Sequence, residues 1–394
     1  MYAGKVAVAL TLLLWLDAGI DPARSQDQPA AVVCVPRPAS VATPPPMGLP
    51  PQQMASDGST AAAAPPSGQP VCPAGQIPAT AQGSPAFIQQ NLGTGAPAGG
   101  GSRPLKGNPL LRPQSAVAPP PGQPGGGAAP FAREFSEIYR GAAAPSPQAS
   151  PSPAPVTCRG QTYGTDPTCY YYGSAGLSRT VMGGGMITSV DRPQYVTTGG
   201  PGHTLNEISV QGGTQNGNIV EIGWTVSTDQ NHDADPHIFV FHWVNWNGEG
   251  YNCCGWVQFS NRYYPGQNVS ALVGREIYVG YVLYNGNWWA WFDGEWLGYF
   301  PGTLWNDNYS TAAIIQWFGE VATNNGIPPQ TQMGDGILPP PTAAAHMSKL
   351  CDVDTGAWTC LIRNEQLLST PAAPDLYSIS QTGYGDAHYG GPGR

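Results

Sequence analysis

Glu276-Ile-Tyr-Val-Gly-Tyr-Val-Leu-Tyr-Asn-Gly-Asn-Trp-Trp-Ala-Trp-Phe-Asp-Gly-Glu-Trp-Leu-Gly-Tyr-Phe300 decides the fold class. Most positions are β-branched or aromatic, the side chains that fit a pleated, half-buried surface. Two dipeptides interrupt the run, Asn285-Gly286 and Asp293-Gly294. A two-residue type I′ hairpin turn needs positive φ at both central positions, which Asn-Gly and Asp-Gly tolerate best. The stretch therefore reads as an antiparallel meander with strands at Glu276–Tyr284, Trp288–Phe292 and Glu295–Tyr299.

The same reading extends to either side. Strand-like runs bounded by Gly, Asn, Asp or Pro recur at Thr168–Tyr172, Gly185–Val190, Glu207–Gln211, Asn218–Val226, His237–Trp246, Gly255–Phe259, Ala312–Val321 and Thr331–Gly334. No helix-length amphipathic stretch follows residue 160, although Leu361–Leu368 has the spacing for two helical turns. The expected fold is all-β, an antiparallel β-sandwich over residues 158–394, a size that suits one β domain.

The N-terminal part has a different composition. Lys5, the apolar run Val6–Leu16 and Ala23-Arg-Ser25 read as a secretory signal over residues 1–25. The run is too short to span a bilayer, so no membrane partner is expected once the signal is removed. Residues 26–157 are rich in Pro, Ala, Gly and Ser, and read as a low-complexity pro-segment or linker. Within it, Phe135, Ile138 and Tyr139 have helical spacing and suggest a short helix at 132–140. The expected location is extracellular, periplasmic or in a cell wall.

Charge narrows the partners. Residues 1–159 carry nine Lys/Arg and six Asp/Glu, whereas residues 160–394 carry seven and nineteen. An acidic folded half argues against nucleic acid, whose phosphates need a basic surface. The eight cysteines of an exported chain suggest disulfides. The sequence-local pairing is Cys34–Cys72, Cys158–Cys169, Cys253–Cys254 and Cys351–Cys360, though spacing leaves the connectivity open. Asp229-Gln-Asn-His-Asp-Ala-Asp-Pro-His237 is rich in metal-ligand types but sits where a polar loop is expected. We therefore expect neither metal nor cofactor. No Gly-x-Ser-x-Gly elbow or phosphate-binding loop is present.

Two strand runs each carry one glutamate, a residue depleted from strands. In Asn218–Val226, alternation puts Val220, Ile222, Trp224 and Val226 on one face and Glu221 on the other. In Ile314–Val321, Glu320 shares a face with Gln316 and Phe318, opposite Ile315, Trp317 and Val321. Two close carboxyls can share one proton, so that one activates a water while the other donates. Glu221 and Glu320 are therefore the candidate catalytic pair.

The blocks Ile219-Val-Glu-Ile-Gly-Trp-Thr-Val226, His237-Ile-Phe-Val-Phe-His-Trp243, Gly286-Asn-Trp-Trp289, Leu297-Gly-Tyr-Phe-Pro301, Ile315-Gln-Trp-Phe-Gly-Glu320 and Thr331-Gln-Met-Gly334 occur in this order, and Tyr389-Gly-Gly-Pro-Gly393 closes the chain. Together they resemble the neprosin family from about residue 170 to 393. The resemblance implies a β-sandwich glutamic endopeptidase that cleaves after proline, with Glu221 and Glu320 as its two glutamates. It implies a proline-rich peptide or protein substrate, and a monomer is expected. Phe318 stands where the family pattern has glycine, and Tyr251-Asn-Cys-Cys254 compresses a block with more widely spaced cysteines. Gln316 and Gln332 are candidate substrate hydrogen-bond donors. Trp288, Trp289, Trp291, Trp296 and Tyr299 form the densest aromatic run. Most of these suit a sandwich core, and Trp289 and Trp291 are candidates to stack on a substrate proline. The competing readings are a non-catalytic wall- or carbohydrate-binding module and a glycoside hydrolase, which also uses paired carboxylates.

Overall fold

A computed structural model describes residues 32–44, 71–79, 158–162, 168–195, 202–212, 217–245, 247–324, 329–354, 360–362, 367–368 and 371–393. The expected signal segment, the suggested helix at 132–140 and most of the Pro-rich segment lie outside these residues.

Two antiparallel sheets stack face to face. The first runs in the order β16 (Leu367–Leu368), β3 (Thr168–Val181), β13 (Ala312–Asn324), β5 (His203–Gln211), β6 (Ile219–Val226), β7 (His237–Val244), β8 (Asn247–Tyr251). The second runs β17 (Ser378–Gly383), β18 (Asp386–Gly390), β14 (His346–Val353), β4 (Gly183–Ser189), β10 (Glu276–Tyr284), β11 (Asn287–Phe292), β12 (Glu295–Pro301), β9 (Val257–Gln258), with β15 (Cys360–Ile362) also paired to β14. Among the described residues the α-helix amounts to one turn, Thr228–Asn231, and no helix is long and apolar enough to cross a membrane.

The meander that opened the sequence reading is β10–β11–β12. Its turn residues have positive φ, 48° at Asn285, 74° at Gly286, 48° at Asp293 and 79° at Gly294, as type I′ hairpins require. Alternation then sets the layers. Val220, Ile222, Trp224 and Val226 of β6 pack in one core with Met186, Val279, Tyr281, Trp288 and Ala290 of the other sheet. Buried indoles and phenols need partners for their polar tips. Trp224 Nε1 donates to Ser189 O at 2.9 Å, Trp317 Nε1 to Gly185 O at 3.0 Å, and Tyr281 OH to the backbone oxygen of Glu221 at 3.2 Å. These bonds tie the two sheets together across the core.

The far face of the nine-stranded sheet is also buried. Ile187, Tyr278, Val282, Trp289, Trp291 and Tyr299 cluster there. Trp291 lies flat because the positions beneath it are glycines. A Cβ on Gly280 would sit 2.3 Å from Trp291 Cζ2, and one on Gly185 would sit 2.6 Å from it. A ribbon, β1 (Cys34–Pro36) paired with β2 (Gln76–Pro78), belongs to the same compact unit. The backbone N–H of Ala42 donates to Tyr299 OH at 3.1 Å, and Val41 and Ala42 pack on the cluster. Arg37 donates to Phe259 O at 2.7 Å and lies 4.3 Å from the Phe259 ring centroid. Parts of the segment read as a linker thus cover this sheet.

The disulfides are Cys34–Cys72, Cys158–Cys169, Cys253–Cys254 and Cys351–Cys360, the sequence-local set. Two element expectations fail. Thr331–Gly334 is a loop with an isolated bridge from Met333 to Gly391. Of the stretch Leu361–Leu368 the described residues 361–362 and 367–368 are strand, because β15 pairs with β14 beside the Cys351–Cys360 bridge and Leu367–Leu368 pairs with β3. Tertiary pairing overrides the local spacing there.

Candidate active site

Strand alternation leaves one face of the seven-stranded sheet turned away from the core, and its register places every side chain. Across β13, β5 and β6, Glu320, Leu205 and Thr225 form one row. Phe318, Glu207 and Gly223 form the next, followed by Gln316, Ser209 and Glu221. The fold therefore puts Glu221 and Glu320 on one face of one sheet. They are two strands apart and offset by four positions along β5, roughly 13 Å in the strand direction. Their side chains approach each other only by reaching over the row between them.

The middle row holds a third carboxyl. Glu207 is a diagonal neighbour of Glu221 on one side and of Glu320 on the other, a relation that sets positions about 7–8 Å apart. Glu221 and Glu320 are each 8% exposed and Glu207 3%. Aromatic rings form the surrounding wall. Phe239 stacks on Tyr251 with ring centroids 5.4 Å apart, and Tyr172 meets Phe318 edge-on at 5.7 Å. Leu205 and Ala322 complete this apolar cluster.

The two glutamates have different partners. Glu221 Oε2 accepts from Trp243 Nε1 at 3.0 Å. Burial pushes the Glu221 carboxyl up to about 8, with the Trp243 bond opposing and the negative charge of Glu320 adding to the rise. Glu320 Oε1 lies 2.7 Å from His203 Nε2, so a protonated His203 makes an ion pair with it. Burial, with the charges of Glu221 and Glu320, holds Glu207 well above the usual carboxyl range. Burial likewise raises the Tyr251 phenol, and the charges of Glu207 and Glu320 add to that effect. A hydrogen bond with the Thr225 side chain opposes that rise. This arrangement can present one carboxylic acid and one carboxylate to a bond lying between them.

The other expected site residues divide. Gln316 is on this face, in the row of Glu221, but its Oε1 accepts from Gln211 Nε2 at 2.7 Å. Gln332 is committed elsewhere, its Oε1 accepting from the Gln194 backbone at 2.8 Å and its own N–H donating to Gln194 O. Trp289 and Trp291 are 0% exposed on the far face of the opposite sheet. They cannot stack on a substrate held at the glutamates, and this expectation is corrected: meander alternation turns them to a face where Val41, Ala42 and Phe259 pack over them. Among the described residues no three His, Cys, Asp or Glu are grouped to hold a metal ion. Within the Asp229–His237 stretch, Asp235 instead pairs with Arg192 at 2.8 Å.

Four residues of the site escaped sequence reading: His203, Glu207, Trp243 and Tyr251. Strand β5 begins at His203, four residues before the sequence suggested, so Glu207 looked like a strand end. In Trp243 the signal was present, since an indole on the alternation face of Phe239 and Phe241 points to the same side as Glu221 across β6 and β7.

Residues 201–392 match the family described as Neprosin. The chain carries a neprosin domain. Among solved structures, the fold is similar to a Scytalido-glutamic peptidase bound to a peptide-based transition-state analogue, at a TM-score of 0.36 and 8% identity, over 57% of this chain and 99% of that one. It is similar to SCP-B, a member of the eqolisin family of peptidases in complex with the tripeptide Ala-Ile-His, at a TM-score of 0.34 and 8% identity with the same coverage. Sheep galectin-11 in complex with glycerol matches at a TM-score of 0.21 and 11% identity, over 39% of this chain and 93% of that one. In the neprosin domain the face bearing Glu221, Glu207 and Glu320 is the candidate active site.

Proposed function

We propose that this neprosin domain is a secreted glutamic endopeptidase that hydrolyses peptide bonds after proline, using Glu221 and Glu320. One observation carries the reading: the two family-matched glutamates share a buried sheet face but meet opposite partners, an indole donor at Glu221 and an imidazole at Glu320. Below about pH 8 burial keeps Glu221 a carboxylic acid, while Glu320 Oε1 lies 2.7 Å from His203 Nε2.

In the proposed reaction Glu320 takes a proton from a water whose oxygen bonds to the scissile carbonyl carbon. The tetrahedral intermediate then collapses as Glu221 gives its proton to the departing nitrogen and the C–N bond breaks. The products are a carboxylic acid and an amine, and the glutamates have exchanged protonation states. A water-mediated acid–base mechanism of this kind needs one proton on the pair. Four disulfides suit an oxidising compartment and support export. A carbohydrate-binding reading needs tryptophans open to a sugar, whereas Trp288, Trp289 and Trp291 are fully buried.

Mass spectrometry of peptides containing a single proline, incubated with the disulfide-intact protein from pH 4 to 8, tests the specificity. New C-termini at proline are the expected result. Cleavage scattered among other residues would remove the post-proline assignment, and intact peptides throughout would remove the peptidase.

A further inference from the structure

Between the two candidate catalytic glutamates lies a carboxyl that the proposed reaction does not use. Glu207 faces Phe318 on β13 and Gly223 on β6, and stands diagonal to both Glu221 and Glu320. It is more deeply buried than either of them. The titratable groups around it are Glu221 from β6, Glu320 from β13 with its partner His203 from β5, and Tyr251 from β8. From the opposite sheet Tyr281, whose hydroxyl bonds the Glu221 backbone, feels the Glu207 charge through the core. Three carboxylates on one diagonal of a buried face would repel strongly, because like charges at this spacing resist joint ionisation.

We propose that Glu207 is a positioning residue of the peptidase site, a carboxylic acid that keeps its proton and donates it as a hydrogen bond to the ionised glutamate beside it. The inference rests on the peptidase reading and extends it: the competent site holds three carboxyls and two protons, one for transfer and one for alignment. Burial first, and then the charge of the ionised neighbour, support the protonated state. A neutral donor at the centre of the diagonal orients the carboxylate without adding a second negative charge. Phe318 stands across from it on β13, and Glu207 is buried from water.

The test compares Glu207→Gln and Glu207→Leu in the full chain. The amide keeps a neutral N–H donor, whereas leucine keeps the volume and removes it. Glu207→Gln is expected to keep kcat within about threefold, and Glu207→Leu to lower kcat on the order of 10- to 100-fold with KM little changed. A wild-type kcat in Glu207→Leu, or an equal loss in both variants, would overturn the proposal. An infrared spectrum at neutral pH gives an activity-independent readout. Wild type minus Glu207→Gln should show a protonated-carboxyl C=O band, and its absence would also overturn the proposal. Glu221→Gln and Glu320→Gln serve as controls. If both remain fully active the peptidase reading fails, whereas if they are inactive while Glu207→Leu is active only this inference fails.

Discussion

At the residue scale the chemistry of the site turns on a proton. In the folded protein the Glu221 carboxyl keeps it to about pH 8, against an ordinary value of 4.5. The unfolded chain releases the proton near the ordinary value, so the stability it contributes is full below that pH and is lost as pH rises to about 8. Asp191, pushed up to about 6 by burial despite its bond from Ser189, acts in the same sense over a lower window. His242 acts oppositely. Burial lowers it to about 4 from 6.5, so its contribution is lost as pH falls through that range. Between pH 6.5 and 8 Glu207, which burial also holds well above the usual carboxyl range, acts with Glu221, and each should lower stability by up to about 1.4 kcal/mol per pH unit. Urea unfolding across that range should show the slope, and Glu221→Gln should reduce it, leaving the part due to Glu207. A slope unchanged in the variant would mean that Glu221 does not hold this proton. Glu221 and Glu320 were legible because glutamate in a β-branched run is conspicuous and family blocks framed both. Glu207 was not, because its role comes from register with β6 and β13, which no single run encodes.

At the element scale the meander was the most legible part of the chain. Its hairpin dipeptides fixed the turns, and in the fold Trp288, Ala290 and Phe292 alternate into the core. The remaining tryptophans were assigned less well, since alternation separates two faces without saying which of them is covered. The pairing of Gly280 with Gly185 and Trp291 answers that question. Gly280→Ala should be destabilising, because the new Cβ would lie 2.3 Å from both Trp291 Cζ2 and the backbone oxygen of Gly184. Overpacking of this kind costs about 1–3 kcal/mol or more. Thermal unfolding measures it, and an unchanged midpoint would show that the indole is freer to move than this packing allows. Strand β3 was seen only in its first residues. Its continuation Gly173-Ser-Ala-Gly-Leu-Ser-Arg-Thr-Val181 has weak β propensity and is held by pairing along β13.

At the scale of the whole molecule the two sheets have separate tasks. The outer face of one bears the glutamates, and that of the other is closed by the N-terminal ribbon, so damage to the ribbon should spare the site. Replacing Cys34 and Cys72 by serine opens a loop spanning a sequence separation of 38, a change worth about 3–4 kcal/mol on the chain-entropy view. The variant should melt earlier and shift its tryptophan fluorescence as Trp289 and Trp291 meet water, while peptide hydrolysis below the melting range stays at the wild-type rate. A matching loss of hydrolysis in a folded variant would show that the sheets are coupled. The ribbon itself was not legible, because a Pro- and Ala-rich sequence has no core of its own. It gains order from Phe259, Tyr299 and a bridge between distant cysteines.

The most direct test of the central claim is kcat/KM on a proline-containing peptide for wild type, Glu221→Gln and Glu320→Gln, with folding of each checked by circular dichroism. Each single change removes a proton donor or acceptor and leaves the side chain's shape, so the account expects a loss on the order of 10³-fold or more in both. Wild-type turnover in either folded variant would contradict it.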